Sequence, residues 1–124
     1  ESYAAGLAAT RHSEADREVA LGLLDELDRA DGDERRLIEL DQRIHRHVWA
    51  CAKNPFLAAT LEGYYALTLR IWLVALDRVA RLDGAVVDDN RTLIETILER
   101  DAGRAVEAMR RHVEAFERSI RAAL

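Results

Sequence analysis

Asp41 and His45 stand four residues apart within the run Leu37, Leu40, Ile44 and Val48, whose three-and-four spacing marks one face of a helix. Residues four apart on a helix point the same way, so the carboxylate and the imidazole share that apolar face. His112 falls inside a second stripe of Ala105, Val106, Met109, Val113, Phe116 and Ile120. Asn90 sits one turn before the inward-facing Leu93, Ile94 and Ile97. Three segments thus each aim a metal-competent or hydrogen-bonding group at the core. A buried carboxylate is costly unless it is paired with a cation or a metal. Two imidazoles and one carboxylate suit a divalent ion, with zinc, nickel and manganese all compatible. The same spacing also fits an ion pair within one helix, or a hydrogen-bonded core histidine. Spacing alone leaves these readings open.

A second anomaly is Arg70, surrounded by Leu67, Leu69, Ile71, Leu73 and Val74, with no carboxylate three or four residues away on its own helix. Its guanidinium fork suits a carboxylate. It either clamps an acidic ligand, pairs with an acid on another helix, or reaches to solvent. Tyr64, Tyr65 and Trp72 on the same helix line a pocket or pack as plain core. Thr68 adds a hydroxyl to such a pocket or bonds back to its own helix. His12, next to a turn, is expected to be exposed, and His47 to face away from His45. Cys51 reads as a small buried apolar residue.

The elements that position these groups are helices. Ala, Leu, Arg and Glu dominate, and there is one proline among 124 residues. A short first helix is expected around Ser2 to Ala9. Ser13, with Asp16 three residues on, opens a second that runs to about Arg29. A third runs from Glu34 to about Lys53. Asn54-Pro55 restarts the chain into a long fourth helix that ends near Leu82. A fifth covers about Val86 to Arg100, and Asp101 caps a sixth that runs to near the C-terminus. Short connections predict one all-α domain over residues 1–124, an antiparallel bundle of about six helices.

Composition narrows the function classes. A net charge of -5 disfavours direct grip on nucleic acid, which calls for a basic excess. The single cysteine excludes an intrachain disulfide and a Cys-rich zinc site. No apolar run reaches the length of a membrane span, and no signal peptide is recognisable. The expected setting is cytoplasmic. No nucleophile motif or inward general base lies near the Asp and His residues, so the expectation is a protein that is not an enzyme. A two-His-one-carboxylate metalloenzyme and a metal-free interaction module are the alternatives.

The order of motifs adds a resemblance. Asp41-Gln42-Arg43-Ile44-His45 followed by Asn54-Pro55-Phe56-Leu57 resembles the Asp-x3-His and Asn-Pro-hydrophobic pattern of the FCD family. This is the effector-binding half of FadR-type GntR transcription regulators. Asp89-Asn90-Arg91-Thr92-Leu93-Ile94 matches the segment where that family usually reads Glu-His-x-x-Ile. Asp101-Ala102-Gly103-Arg104-Ala105 and Met109-Arg110-Arg111-His112 match its closing segment, so the resemblance spans essentially the whole chain.

The resemblance implies an antiparallel helical bundle that binds a small organic acid and dimerises with a second copy. It implies DNA contact only through a winged helix-turn-helix domain, normally N-terminal and expected to lie outside this chain. It also implies a divalent metal held by one Asp and three His. Asp41, His45 and His112 match those ligands, and Asn90 stands where the remaining His is usual. An amide oxygen is a weaker ligand than imidazole, so that departure bears on how tightly the site holds an ion. Arg70, Tyr64, Thr68 and Asn90 are the expected effector contacts.

Overall fold

The structure is a computed structural model. It describes residues 1–30, 32–75 and 84–123, with side chains from residue 87 onward in the last of these segments. Among the described residues there are six helices and no strand: α1 (Ser2–Arg11), α2 (Glu14–Arg29), α3 (Glu34–Cys51), α4 (Pro55–Ala75), α5 (Gly84–Leu98) and α6 (Ala102–Ala123). The expected all-α bundle is observed. The expected continuation of α4 to Leu82 falls outside the described residues. α5 begins at Gly84, two residues before the expected Val86.

Local chemistry sets most of the helix ends. The Ser13 hydroxyl accepts from the Asp16 amide at 3.2 Å, and Asp16 Oδ2 accepts from the Ser13 amide at 2.9 Å, closing a capping box. Asp33 caps α3 through the Arg36 amide at 3.1 Å, and Gly32 provides the left-handed turn before it, at φ 80°. Asn54 caps α4 through the Leu57 amide at 3.1 Å, with Pro55 in the first helical position. Asp101 caps α6 through the Arg104 amide at 3.0 Å. Each cap offsets about 1 kcal/mol of otherwise unmet backbone donors.

The short α1 is central to the packing. It touches α3, α5 and α6, and Ala4, Ala5, Ala8 and Ala9 are fully buried. Small side chains let the neighbouring helices close in. At Gly6 a Cβ would meet Val106 Cγ2 at 2.8 Å, so any larger residue there requires the Val106 side chain to shift. The main core gathers around α1 from four other helices, with Leu27, Leu40, Ile44, Val48, Leu93 and Met109 among its largest buried members.

His12, expected to be exposed, is buried. It closes α1, and its Nδ1 turns back to the Ala8 carbonyl at 2.8 Å. The centrality of α1 carries its last turn inside.

α4 is different. It packs on α3 and α6 through Leu61, Tyr65, Trp72 and Ala75, while Tyr64, Leu67, Ile71 and Val74 are exposed at 64, 56, 51 and 78%. Those four positions share a three-and-four spacing, so they form one uncovered apolar face.

Candidate metal centre

Asp41 and His45 lie on the buried face of α3 because the helix period puts both in register with Leu37, Leu40, Ile44 and Val48. His112 faces them from α6 and Asn90 from α5, and all four residues are buried. His45 Nε2 and His112 Nε2 are 3.0 Å apart. His112 Nε2 lies 3.2 Å from Asp41 Oδ1, and His45 Nε2 lies 3.7 Å from Asp41 Oδ2. The Asn90 amide Nδ2 donates to Asp41 Oδ1 at 3.0 Å. The Tyr65 hydroxyl, from α4, donates to Asp41 Oδ2 at 3.0 Å.

These separations allow a test of fit. An ion bonded to His nitrogen and carboxylate oxygen at roughly 2.0–2.2 Å holds neighbouring ligand atoms roughly 3.0–3.5 Å apart. One ligand atom from each of Asp41, His45 and His112 lies within 4.8 Å of the other two, and the shortest separations fall in that range. Two imidazole nitrogens facing each other beside a carboxylate form a donor set suited to a divalent cation. The residues present therefore fit a metal.

The charges are arranged consistently. Burial penalises the Asp41 carboxylate, yet the His45 charge and hydrogen bonds from His112 and Asn90 hold its pKa well below the usual carboxylate range. Burial pulls His45 down, but the facing Asp41 and Glu1 carboxylates carry it above its ordinary value. Burial and the Asp41 charge push the Tyr65 phenol far up, so it stays a neutral donor. Without an ion, a proton taken up by His45 would offset the Asp41 charge.

The sequence-derived ligands Asp41, His45, His112 and Asn90 are thus brought together. None of the cluster's contacts is made by Tyr64, Thr68 or Arg70. Arg70 is exposed on α4 rather than enclosed by its apolar neighbours, because the face carrying Leu67, Ile71 and Val74 is itself uncovered. Thr68 bonds back to the Tyr64 carbonyl at 3.1 Å, the local option open to it. His47 faces away from the cluster, with its Nε2 3.0 Å from the Asp16 carbonyl. Cys51 is buried, and desolvation pushes its thiol up to about 12, as suits an inert core residue.

Two partners were not singled out from the sequence. Tyr65 read only as a pocket or core aromatic. Glu1 carried no signal, because its contacts are made across helices.

Residues 1–115 match the family model described as FCD domain. The chain belongs to the FCD family. That match covers α1 to α5 and most of α6, and so takes in every residue of the FCD domain's buried cluster. No curated protein and no solved structure matches the chain. Among the described residues of this FCD domain, no helix is long and apolar enough to cross a membrane.

Proposed function

We propose that this FCD domain is the sensing and dimerisation part of a cytoplasmic GntR-type transcription regulator, and that it binds a small carboxylate at a divalent metal. The observation that carries the reading is the buried Asp41, His45 and His112 cluster, whose ligand atoms converge from two helices. A divalent ion bound there supplies a Lewis-acid anchor for a carboxylate oxygen. Asp41 and the two imidazoles hold the ion, and Asn90 and Tyr65 hold Asp41. Arg70 and Thr68, on α4 outside the buried cluster, would meet the far end of an effector that reaches beyond it. Binding favours one packing of the bundle, and an attached winged-helix domain reads the change. The domain itself catalyses nothing.

Calorimetry of the zinc-loaded chain against mono-, di- and tricarboxylic acids tests this. At least one acid is expected to bind, and Arg70→Ala is expected to weaken it by about tenfold, the loss of one charge-assisted pair. Equal affinity in both proteins removes Arg70 from the site. No binding by any acid removes the carboxylate reading.

The dimer is proposed through α4. Tyr64, Leu67, Ile71 and Val74 form an apolar strip that a second copy of the same helix would cover. Sedimentation equilibrium is expected to give twice the 14.0 kDa chain mass, and Leu67→Glu with Ile71→Glu is expected to give the monomer. A dimer that survives both substitutions places the interface elsewhere.

A further inference from the structure

Glu1 occupies the N-cap of α1, yet its side chain makes no capping bond. Its carboxylate reaches across to α3 instead. Oε2 accepts from the Trp49 indole N–H at 2.7 Å, and Oε1 lies 3.4 Å from His45 Nδ1. His45 and Trp49 are four residues apart, so both rings project from one face of α3 toward the same carboxylate. Only 20% of the Glu1 side chain is exposed.

An indole N–H can only donate, so Trp49 pins one oxygen and sets the angle of the other. An ionised carboxylate can only accept, so the proton between Glu1 and His45 sits on Nδ1. In a neutral imidazole the second nitrogen is then bare. That nitrogen, Nε2, is the atom 3.0 Å from His112 Nε2 and 3.7 Å from Asp41 Oδ2. Metal-binding histidines commonly donate their other N–H to a carboxylate in this way, which fixes both tautomer and ring angle.

We propose that Glu1 is a positioning residue for the metal centre: its carboxylate, clamped by Trp49, holds His45 in the Nδ1–H tautomer with the Nε2 lone pair turned toward Asp41 and His112. The proposal rests on the metal reading of the cluster. It adds that the first turn of α1 belongs to the centre, although it supplies no ligand. A change in the ion's occupancy is thereby felt at the start of α1, through a side chain that bridges α1 and α3.

Zinc alone is the probe, with wild type, Glu1→Ala and Glu1→Asp compared by competition titration. Glu1→Ala is expected to raise the zinc Kd by about 10–100-fold, the usual loss when such an outer partner is removed. Glu1→Asp is expected to recover part of it. A second readout separates orientation from simple stability. Two-bond proton–nitrogen correlation spectra of the metal-free chain, at a pH where imidazole is neutral, are expected to show His45 as the Nδ1–H tautomer in wild type. They are expected to show loss of that form in Glu1→Ala, with helix content preserved by circular dichroism. Wild-type zinc affinity in Glu1→Ala, or an unchanged His45 tautomer, overturns the proposal alone. A wild-type chain that takes up no zinc overturns the metal reading and this proposal with it.

Discussion

Asp41→Ala is expected to lower the stability of the metal-free chain by about 3 kcal/mol, the lower end for breaking a buried charge pair. Asp41 is the acceptor for Tyr65 and Asn90 and the counter-charge of His45. The alanine removes the acceptor of the buried Tyr65 hydroxyl and one bond of the buried Asn90 amide. It does not leave a buried cation, because His45 can shed its proton where an arginine could not. That escape is the reason for the lower end. For a chain of this length the loss corresponds to a fall in Tm of roughly 10–15 °C.

Asp41→Asn keeps an acceptor for one donor and should fall less. Both variants should lose zinc affinity by about two orders of magnitude, since one ligand of a structural site carries roughly 3 kcal/mol. A wild-type Tm in Asp41→Ala would sink this account of the cluster.

The same pair gives the pH dependence. Asp41 has a depressed pKa in the fold, so its contribution is present above the unfolded value of about 3.9 and is lost as pH falls through the folded value. His45 has a raised pKa, so its contribution is complete below about 6.5 and is lost as pH rises through the folded value. The metal-free chain should therefore be most stable between roughly pH 4 and 6.5 and lose stability on the alkaline side. Zinc inverts that slope, because its ligands must be deprotonated. Thermal melts from pH 5 to 8, with zinc and with chelator, read both signs.

Much of this centre could be read before any coordinates, for a definite reason. Asp41 and His45 share a helix face with four aliphatic residues, and periodicity alone aims them inward. His112 and Asn90 sit on equally regular stripes. The helix ends were legible for the same kind of reason, since Ser13, Asn54 and Asp101 make their capping bonds within three residues.

What periodicity cannot reach is the pairing of helices. Tyr65 meets Asp41 across 24 positions, and Glu1 meets His45 across 44. Burial of α1 is likewise a tertiary fact, and it misplaced His12. Arg70 is the converse case, where the sequence left enclosure, pairing and solvent all open. Apolar neighbours on one helix do not say whether that face is covered, and Leu67, Ile71 and Val74 are exposed.

The resemblance implies a histidine where this chain has Asn90, and Asn90→His should have the largest effect on the metal itself. Asn90 is 1% exposed, and its amide donates to Asp41 Oδ1. In that arrangement it steadies a ligand rather than serving as one. An imidazole in its place can still donate to Asp41 when no ion is bound, and it can offer a fourth ligand atom when one is. A neutral imidazole is a far better ligand than an amide. The zinc Kd is therefore expected to fall by about 100-fold, the share of one added ligand.

The gain is set against packing. Asn90 lies in a closed core beside Leu93 and Ile94 on α5, and a bulkier ring there costs about 1–3 kcal/mol. Asn90→His should consequently melt below wild type with chelator and above it with zinc. The two curves crossing is the signature of a ligand added at the cost of the core. If the variant binds zinc no tighter than wild type, position 90 does not face the ion, and the three-ligand centre was already closed on that side. If it binds tighter, a carboxylate effector should bind more weakly to the zinc-loaded variant than to wild type. The position left open by asparagine would then be the one the effector uses.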